Sequence, residues 1–341
     1  MIRRGDQAKG ATQQSLLEAL AACLRGRPPP LPNWDAIVRE ANEHLVAPAL
    51  GAALADTPLP DDLSQYLRLV HELNRDRNAC LKAQAIEAVG ALNEIGIEPV
   101  LLKGAAILLD APDERLGHRM LSDIDLAVPE ERLTEAVERL VGLGYEAIME
   151  DVGDHAHAKL LRAQDAGTID LHHRPPGPER LYTAAPPLAA EPIVVEGRRM
   201  WRPSPTERAI HLIAHDMIND GCLVRGNVDL RHLIDLRDLV AGGGVDWEIV
   251  RTRFASPWLA LALDVVLLNL RSLLDVEVPA KAGAAAWLYR RQILRSRAGW
   301  FRAPNDLAAR AALWVRRRAK HLRHAVRTKV RSVPRSLNGS A

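Results

Sequence analysis

Residues 122–128, Ser122-Asp123-Ile124-Asp125-Leu126-Ala127-Val128, set two carboxylates two positions apart among aliphatic neighbours. In an extended strand, side chains two apart share a face, so Asp123 and Asp125 project together while Ile124 and Leu126 enter a core. Two parallel carboxylates repel each other unless a cation sits between them. Magnesium is the natural one, because it takes hard oxygen ligands and is usually held by one or two carboxylates plus substrate phosphates. The pattern recurs at Thr168-Ile169-Asp170-Leu171, where one acid again stands between apolar residues on a short strand. Burying an unpaired carboxylate is strongly unfavourable, so each of the three acids asks for a cation or a solvent-facing cleft.

Upstream, Pro99-Val100-Leu101-Leu102-Lys103-Gly104 leads from an apolar strand into Ala105-Ala106-Ile107-Leu108-Leu109, a short helix. Free backbone N–H groups and the helix dipole at such a turn attract phosphate. Gly104 permits close approach and Lys103 adds a point charge, although a lysine at a strand end is an equally ordinary surface feature. Arg119, four residues before Asp123, reads either as a phosphate ligand or as a plain loop arginine. His172 shares a face with Asp170 by strand alternation, which suits a structural role or a contact to substrate. His211 and His215 stand four apart on a helix, but HxxxH lacks the internal Glu of a zinc helix and has no Cys beside it, so the pair reads as structural.

The ordered set of KGAAILL at 103–109, R-x-L-S-D-I-D-L at 119–126, L-x-x-L-G-Y at 140–145 and I-D-L-H-H at 169–173 resembles the uncharacterised nucleotidyltransferase family (NTP_transf_5) of the DNA polymerase β superfamily. The similarity runs from about Trp34 to about Leu270. It implies that Asp123 and Asp125 hold both metal ions. Asp170 would hold the catalytic ion and help activate the acceptor hydroxyl, and Lys103, Gly104, Arg119 and Ser122 would bind the nucleotide. The superfamily's usual helix start is Gly-Ser; here it is Lys103-Gly104-Ala105, without the hydroxyl, and residues 105–122 form a somewhat longer connection than usual.

The resemblance implies a metal-dependent enzyme that moves a nucleoside monophosphate from an NTP to an acceptor, using Mg2+ or Mn2+ and releasing pyrophosphate. The acceptor (small molecule, peptide, protein or RNA) has no motif of its own here. The alternative is a non-catalytic nucleotide- or nucleic-acid-binding module, of a toxin–antitoxin kind, that draws affinity from a basic C-terminal tail. Asp125→Asn is expected to lower turnover by several orders of magnitude yet hardly reduce stability, through relief of carboxylate repulsion.

The hydrophobic period switches from helical to strand-like at Gly96 and back after Pro203. This predicts an α+β fold, with a small mixed β-sheet core flanked by N-terminal and C-terminal helical regions. Residues 1–95 read as the N-terminal helical region, with Asp61 or Asp62 capping its long helix, and residues 96–203 as the nucleotidyltransferase core. That core includes a hairpin turning at Glu196-Gly197. Residues 204–280 read as a C-terminal helical domain and 281–341 as a basic helical tail. Aromatic residues make up only 4% of the chain, which leaves an aliphatic core suited to helix packing. Residues 290–335 carry fifteen Lys and Arg against one acid, Asp306, a hint of polyanion contact or simply a solvated helical face. Cys23, Cys80 and Cys222 form no CxxC pair, no apolar h-region follows the N-terminus, and no stretch approaches about 18 uncharged apolar residues. A reducing cytoplasm without membrane insertion is expected.

Overall fold

The computed structural model describes residues 15–151, 156–182 and 189–297. Ser15 opens with a capping box: its Oγ accepts a hydrogen bond from Glu18 N (3.1 Å) and the Glu18 carboxylate accepts one from Ser15 N (2.8 Å). This starts α1 (Leu16–Leu24), which is followed by α2 (Trp34–Glu43), α3 (Ala47–Ala53) and the 34-residue α4 (Asp61–Glu94). Pro60 occupies the cap of α4, so Asp61 and Asp62 lie inside the first turn, where they meet the positive end of the helix dipole. At the other end Gly96 adopts φ +73° while Ile97 N bonds back to Leu92 O (2.9 Å), the left-handed stop that turns the chain out of α4.

The strands are β1 (Val100–Leu101), β2 (Asp123–Ala127), β3 (Glu146–Asp151), β4 (Ala156–Leu161), β5 (Thr168–His172), β6 (Ala190–Val195) and β7 (Arg198–Pro203). They form one mixed sheet in the order β3-β4-β5-β2-β1-β7-β6, with β2 parallel to β5 and β1 parallel to β7. The 190–203 hairpin therefore extends the sheet rather than standing apart from it. Glu196 (φ +50°) and Gly197 (φ +76°) make its two-residue turn with both residues left-handed, the combination whose twist matches the flanking strands. The helices α5 (Lys103–Asp110) and α6 (Leu133–Val141) belong to the same unit. On one sheet face Ile124, Leu126, Leu160, Ile169 and Leu171 are buried against Leu81, Ala88 and Leu92 of α4 and against Ala136 and Leu140 of α6. The acids of β2 and β5 are left to the other face.

After the sheet come α7 (Pro205–Ala214), a π-helical turn (His215–Asn219), α8 (Cys222–Arg225), α9 (Leu230–Ala241), α10 (Trp247–Arg253), α11 (Pro257–Leu274) and α12 (Gly283–Arg297). They do not pack alone. Leu17, Leu20 and Leu24 of α1 share one apolar cluster with Ile210 of α7, Leu233 of α9 and Leu267 of α11, so the two ends of the described chain build a common helical layer. Leu63 and Leu67 at the start of α4 join that layer, whereas the end of α4 backs the sheet, so one helix spans both cores. Helix α11 is long and apolar enough to cross a membrane by length and composition, but 61% of it is buried inside this layer. Most of the basic stretch, from residue 298 on, lies outside the described residues.

Cys23 and Cys222 are buried and Cys80 is exposed, and burial pushes the Cys23 thiol up to about 11. A thiol-reactive chromophore at neutral pH is therefore expected to label one of the three cysteines, Cys80, in the native chain and all three in denaturant. Rapid native labelling of Cys23 would contradict this packing.

Candidate functional site

The register of β2 against β5 puts Asp123 opposite Thr168, Asp125 opposite Asp170 and Ala127 opposite His172. Because the strands are parallel and the pairing is residue for residue, Asp125, Asp170 and His172 fall on the face turned away from the core. Asp125, Asp170 and His172 offer ligand atoms that all lie within 4.8 Å of one another. Asp123 lies one strand period further along the same face.

Asp125 is 2% exposed. Lys103 Nζ donates to its Oδ1 at 2.7 Å, and His172 Nε2 lies 3.0 Å from the same oxygen. Burial works against an ionised Asp125, but Lys103 and His172 overcome it and hold the carboxyl well below the usual range. Burial likewise opposes the charge on Lys103, yet Asp125, with Asp123 and Asp170 behind it, raises its pKa. Asp170 differs. Its carboxyl is pushed up, first by burial and then by the negative charges of Asp125 and Asp123, and its nearest cation is Lys159 Nζ at 3.9 Å across the β4–β5 pair. The face thus carries more negative charge than its own lysines neutralise.

Lys103 reaches this position with φ +43°, a left-handed conformation that a residue with a Cβ adopts at a cost. The turn is held by Leu102 N donating to Asp125 O (3.0 Å), which ties the start of α5 to β2. Gly104 follows for a steric reason that the sequence does not reveal: a Cβ there would lie 2.3 Å from Leu121 Cδ2 and 3.2 Å from an Arg119 guanidinium nitrogen. Ser122 is exposed next to Asp123. Arg119 is engaged elsewhere, its Nε donating to both carboxylate oxygens of Asp235 on α9 (2.7 and 2.8 Å). The structure thus brings Lys103, Asp123, Asp125, Asp170 and His172 together, and uses Arg119 to fasten the 111–122 loop to the helical layer.

A set of α4 side chains, unmarked in the sequence, fixes the same loop. Asn74 Nδ2 donates to Gly117 O (2.8 Å) and Arg119 O (3.0 Å), and Asn78 Nδ2 to Leu116 O (2.7 Å) and Arg119 O (2.8 Å). Arg77 bonds Leu121 O and Ala166 O, and Gln84 Nε2 reaches Gly167 O at 2.9 Å. These bonds satisfy the backbone just before β2 and just before β5 and so set the height of both strands. The one available signal was three polar residues, 74, 78 and 84, on the apolar stripe of α4.

The α7 helix closes the site from above. Its His211 is buried, and burial followed by the charge of Lys103 drives its pKa well down, so a neutral imidazole faces the lysine. A cleft of about 860 Å³ lies between Arg119, Arg208, Arg231 and Arg237 and does not include the three acids.

The model of the family described as uncharacterised nucleotidyltransferases matches residues 30–275. No curated protein and no solved structure matches the chain.

Removing the lysine would strand a buried charge. Lys103→Met is expected to lower unfolding free energy in urea by about 3–5 kcal/mol, the usual cost of breaking one side of a buried pair. Adding Asp125→Asn should restore most of the loss; strictly additive effects would show that the two groups are not coupled.

Proposed function

The chain belongs to the family of uncharacterised nucleotidyltransferases, and on that premise we propose that it transfers a nucleoside monophosphate from an NTP to an acceptor at Asp123, Asp125 and Asp170. The acceptor oxygen forms a bond to the α-phosphorus, the α–β bridge breaks, and pyrophosphate leaves. The observation that carries this reading is the Asp125–Asp170 register on adjacent parallel strands. Two acids from separate segments are aligned there with too little counter-charge of their own.

The donor set fits a hard dication, Mg2+ or Mn2+. It is made of carboxylate oxygens, it already holds the Lys103 ammonium as a cation on Asp125 Oδ1, and the raised Asp170 has only the looser contact with Lys159 at 3.9 Å. When bound, such ions neutralise phosphate charge and favour the ionised acceptor hydroxyl. Asp125 is oriented by His172 and Lys103, so its carboxylate needs little rearrangement to bind. The Lys103 ammonium, at the start of α5, has a second partner available in the phosphates of a nucleotide entering the same face. Asp170, with its raised pKa, is the carboxylate suited to accept the proton of the acceptor hydroxyl. Free cysteines fit a reducing, cytoplasmic setting.

One observation favours the second reading, binding without turnover. The arginines of the 860 Å³ cleft suit a polyanion, although Asp235 and Asp238 in the same walls offset part of their charge.

The acids differ in their surroundings, and on that ground we expect Asp125→Asn to cost stability rather than leave it unchanged. Asp125 is paired, so its neutralisation breaks an ion pair. Asp170 is raised by burial and by its acidic neighbours, so its neutralisation relieves repulsion. Both Asp125→Asn and Asp170→Asn are expected to lower metal-dependent NTP turnover by about 100- to 1,000-fold or more. In metal-free buffer Asp125→Asn should lower the melting temperature and Asp170→Asn should raise it. That gain fades as pH falls through the raised pKa of Asp170, where the wild-type carboxyl is itself neutral. Wild-type turnover in both variants, measured with each NTP and cell extract as the acceptor source, would refute this mechanism, and absence of turnover in the unsubstituted chain would leave the binding reading standing.

A further inference from the structure

We propose that His215, Asp220 and His232, backed by Asp216 and Asp229, form a separate site in the helical layer for a transition-metal dication of the zinc class. The three residues offer ligand atoms within 4.8 Å of one another, and a second set, Asp216, Asp229 and His232, does the same around a shared imidazole. Neither set contains a residue of the sheet's acidic face.

The local fold is built for this convergence. An α-helix would send residues five apart to different faces. Between His215 and Asp220 the chain instead forms a π-helical turn, closed by Asp220 N donating to His215 O at 2.8 Å, so the two side chains come together. Such turns are rare and frequently sit at functional sites. Gly221, left-handed at φ +73°, then ends the turn. His232 arrives from the first turn of α9, whose N-cap is Asp229.

The contacts have the lengths of ion pairs without the directions of hydrogen bonds. His215 Nδ1 is 3.2 Å from Asp220 Oδ2, and His232 Nδ1 is 3.2 Å from Asp229 Oδ2 and 3.9 Å from Asp216 Oδ1. Even so, both Nδ1 atoms and Asp216 Oδ1 are buried without a directed hydrogen bond. His232 and Asp216 are 6% and 4% exposed. Lone pairs crowded together yet not aimed at one another's protons are what a shared cation would organise. The carboxylate of Asp216 is buried, and a dication beside it would offset its charge. Two imidazoles with carboxylates favour zinc and its neighbours over magnesium, which prefers an all-oxygen shell. Asp220 and Asp229 line a cleft of about 400 Å³, which gives an entry path.

The bland reading, a protonated His232 held between Asp216 and Asp229, makes a different prediction. The test uses the full-length chain carrying Asp125→Asn and Asp170→Asn, stripped with chelator and dialysed against Zn2+ in the presence of excess Mg2+. It is expected to retain about one zinc per chain, and Co2+ in its place should give the visible absorption of a four- or five-coordinate site. In the same background His215→Gln and Asp220→Asn should each weaken zinc binding by more than about 100-fold, since even losing an outer-shell partner typically costs about 10- to 100-fold. Both variants should keep their helical circular dichroism. No zinc retained, or zinc retained equally by both variants, overturns the site. Zinc retained by a chain that shows no NTP turnover in its unsubstituted form would overturn the proposed function alone.

Discussion

Asp125 lies on a strand whose alternate residues, Ile124 and Leu126, are committed to the core, so its carboxylate cannot swing out to bulk water. A buried charge of this kind must meet a cation, and the surroundings of Asp125 follow from that requirement. Lys103 supplies it from the neighbouring turn and adopts a left-handed backbone to do so, a strain of about 1–3 kcal/mol for a residue with a Cβ. That strain persists because the turn is over-determined: Leu102 bonds the backbone of Asp125 itself, and Gly104 allows Leu121 to pack where a side chain would stand. His172 completes the set from β5, and His211, kept neutral, can sit over the lysine without adding a second positive charge.

The height at which β2 and β5 meet is controlled from behind the sheet. Helix α4 touches the strands with its aliphatic residues and the preceding loops with Asn74, Arg77, Asn78 and Gln84, so the element that buries the core also aligns the acids. The Arg119–Asp235 bridge ties the same loop to α9, so the acidic face is braced both from below and from the side.

Much of this was legible in the sequence, for physical reasons. The switch of period at Gly96, the alternation in DIDL and TIDLHH, and the Glu196-Gly197 turn are local signals, and the strands and hairpin they predict are present. Partnership between distant residues is not local. Nothing near Arg119 points to Asp235, and the amides on the apolar stripe of α4 signal burial without saying which loop they hold. The histidines show the same limit. A helical period pairs His211 with His215, whereas the π turn brings His215 to Asp220, and the sharing of His232 depends on a helix that follows later.

The helical layer drawn from both ends of the described chain bears on how the protein is made. Arg27 pairs with Asp275, 248 residues away, and Arg237 bonds the carbonyl of Leu24, 213 residues away. During synthesis α1 and α3 emerge early and can pack on each other and on the start of α4, but the rest of their apolar layer waits for α7, α9 and α11, while the sheet can collapse on α4 as soon as its own strands are complete. The sheet and α4 are thus the part able to consolidate first, and the helices that roof the acidic face close over it last. Until then the early helices present sticky surface to other molecules, so chaperone binding to the nascent chain would concentrate on its N-terminal segment and end when α11 docks.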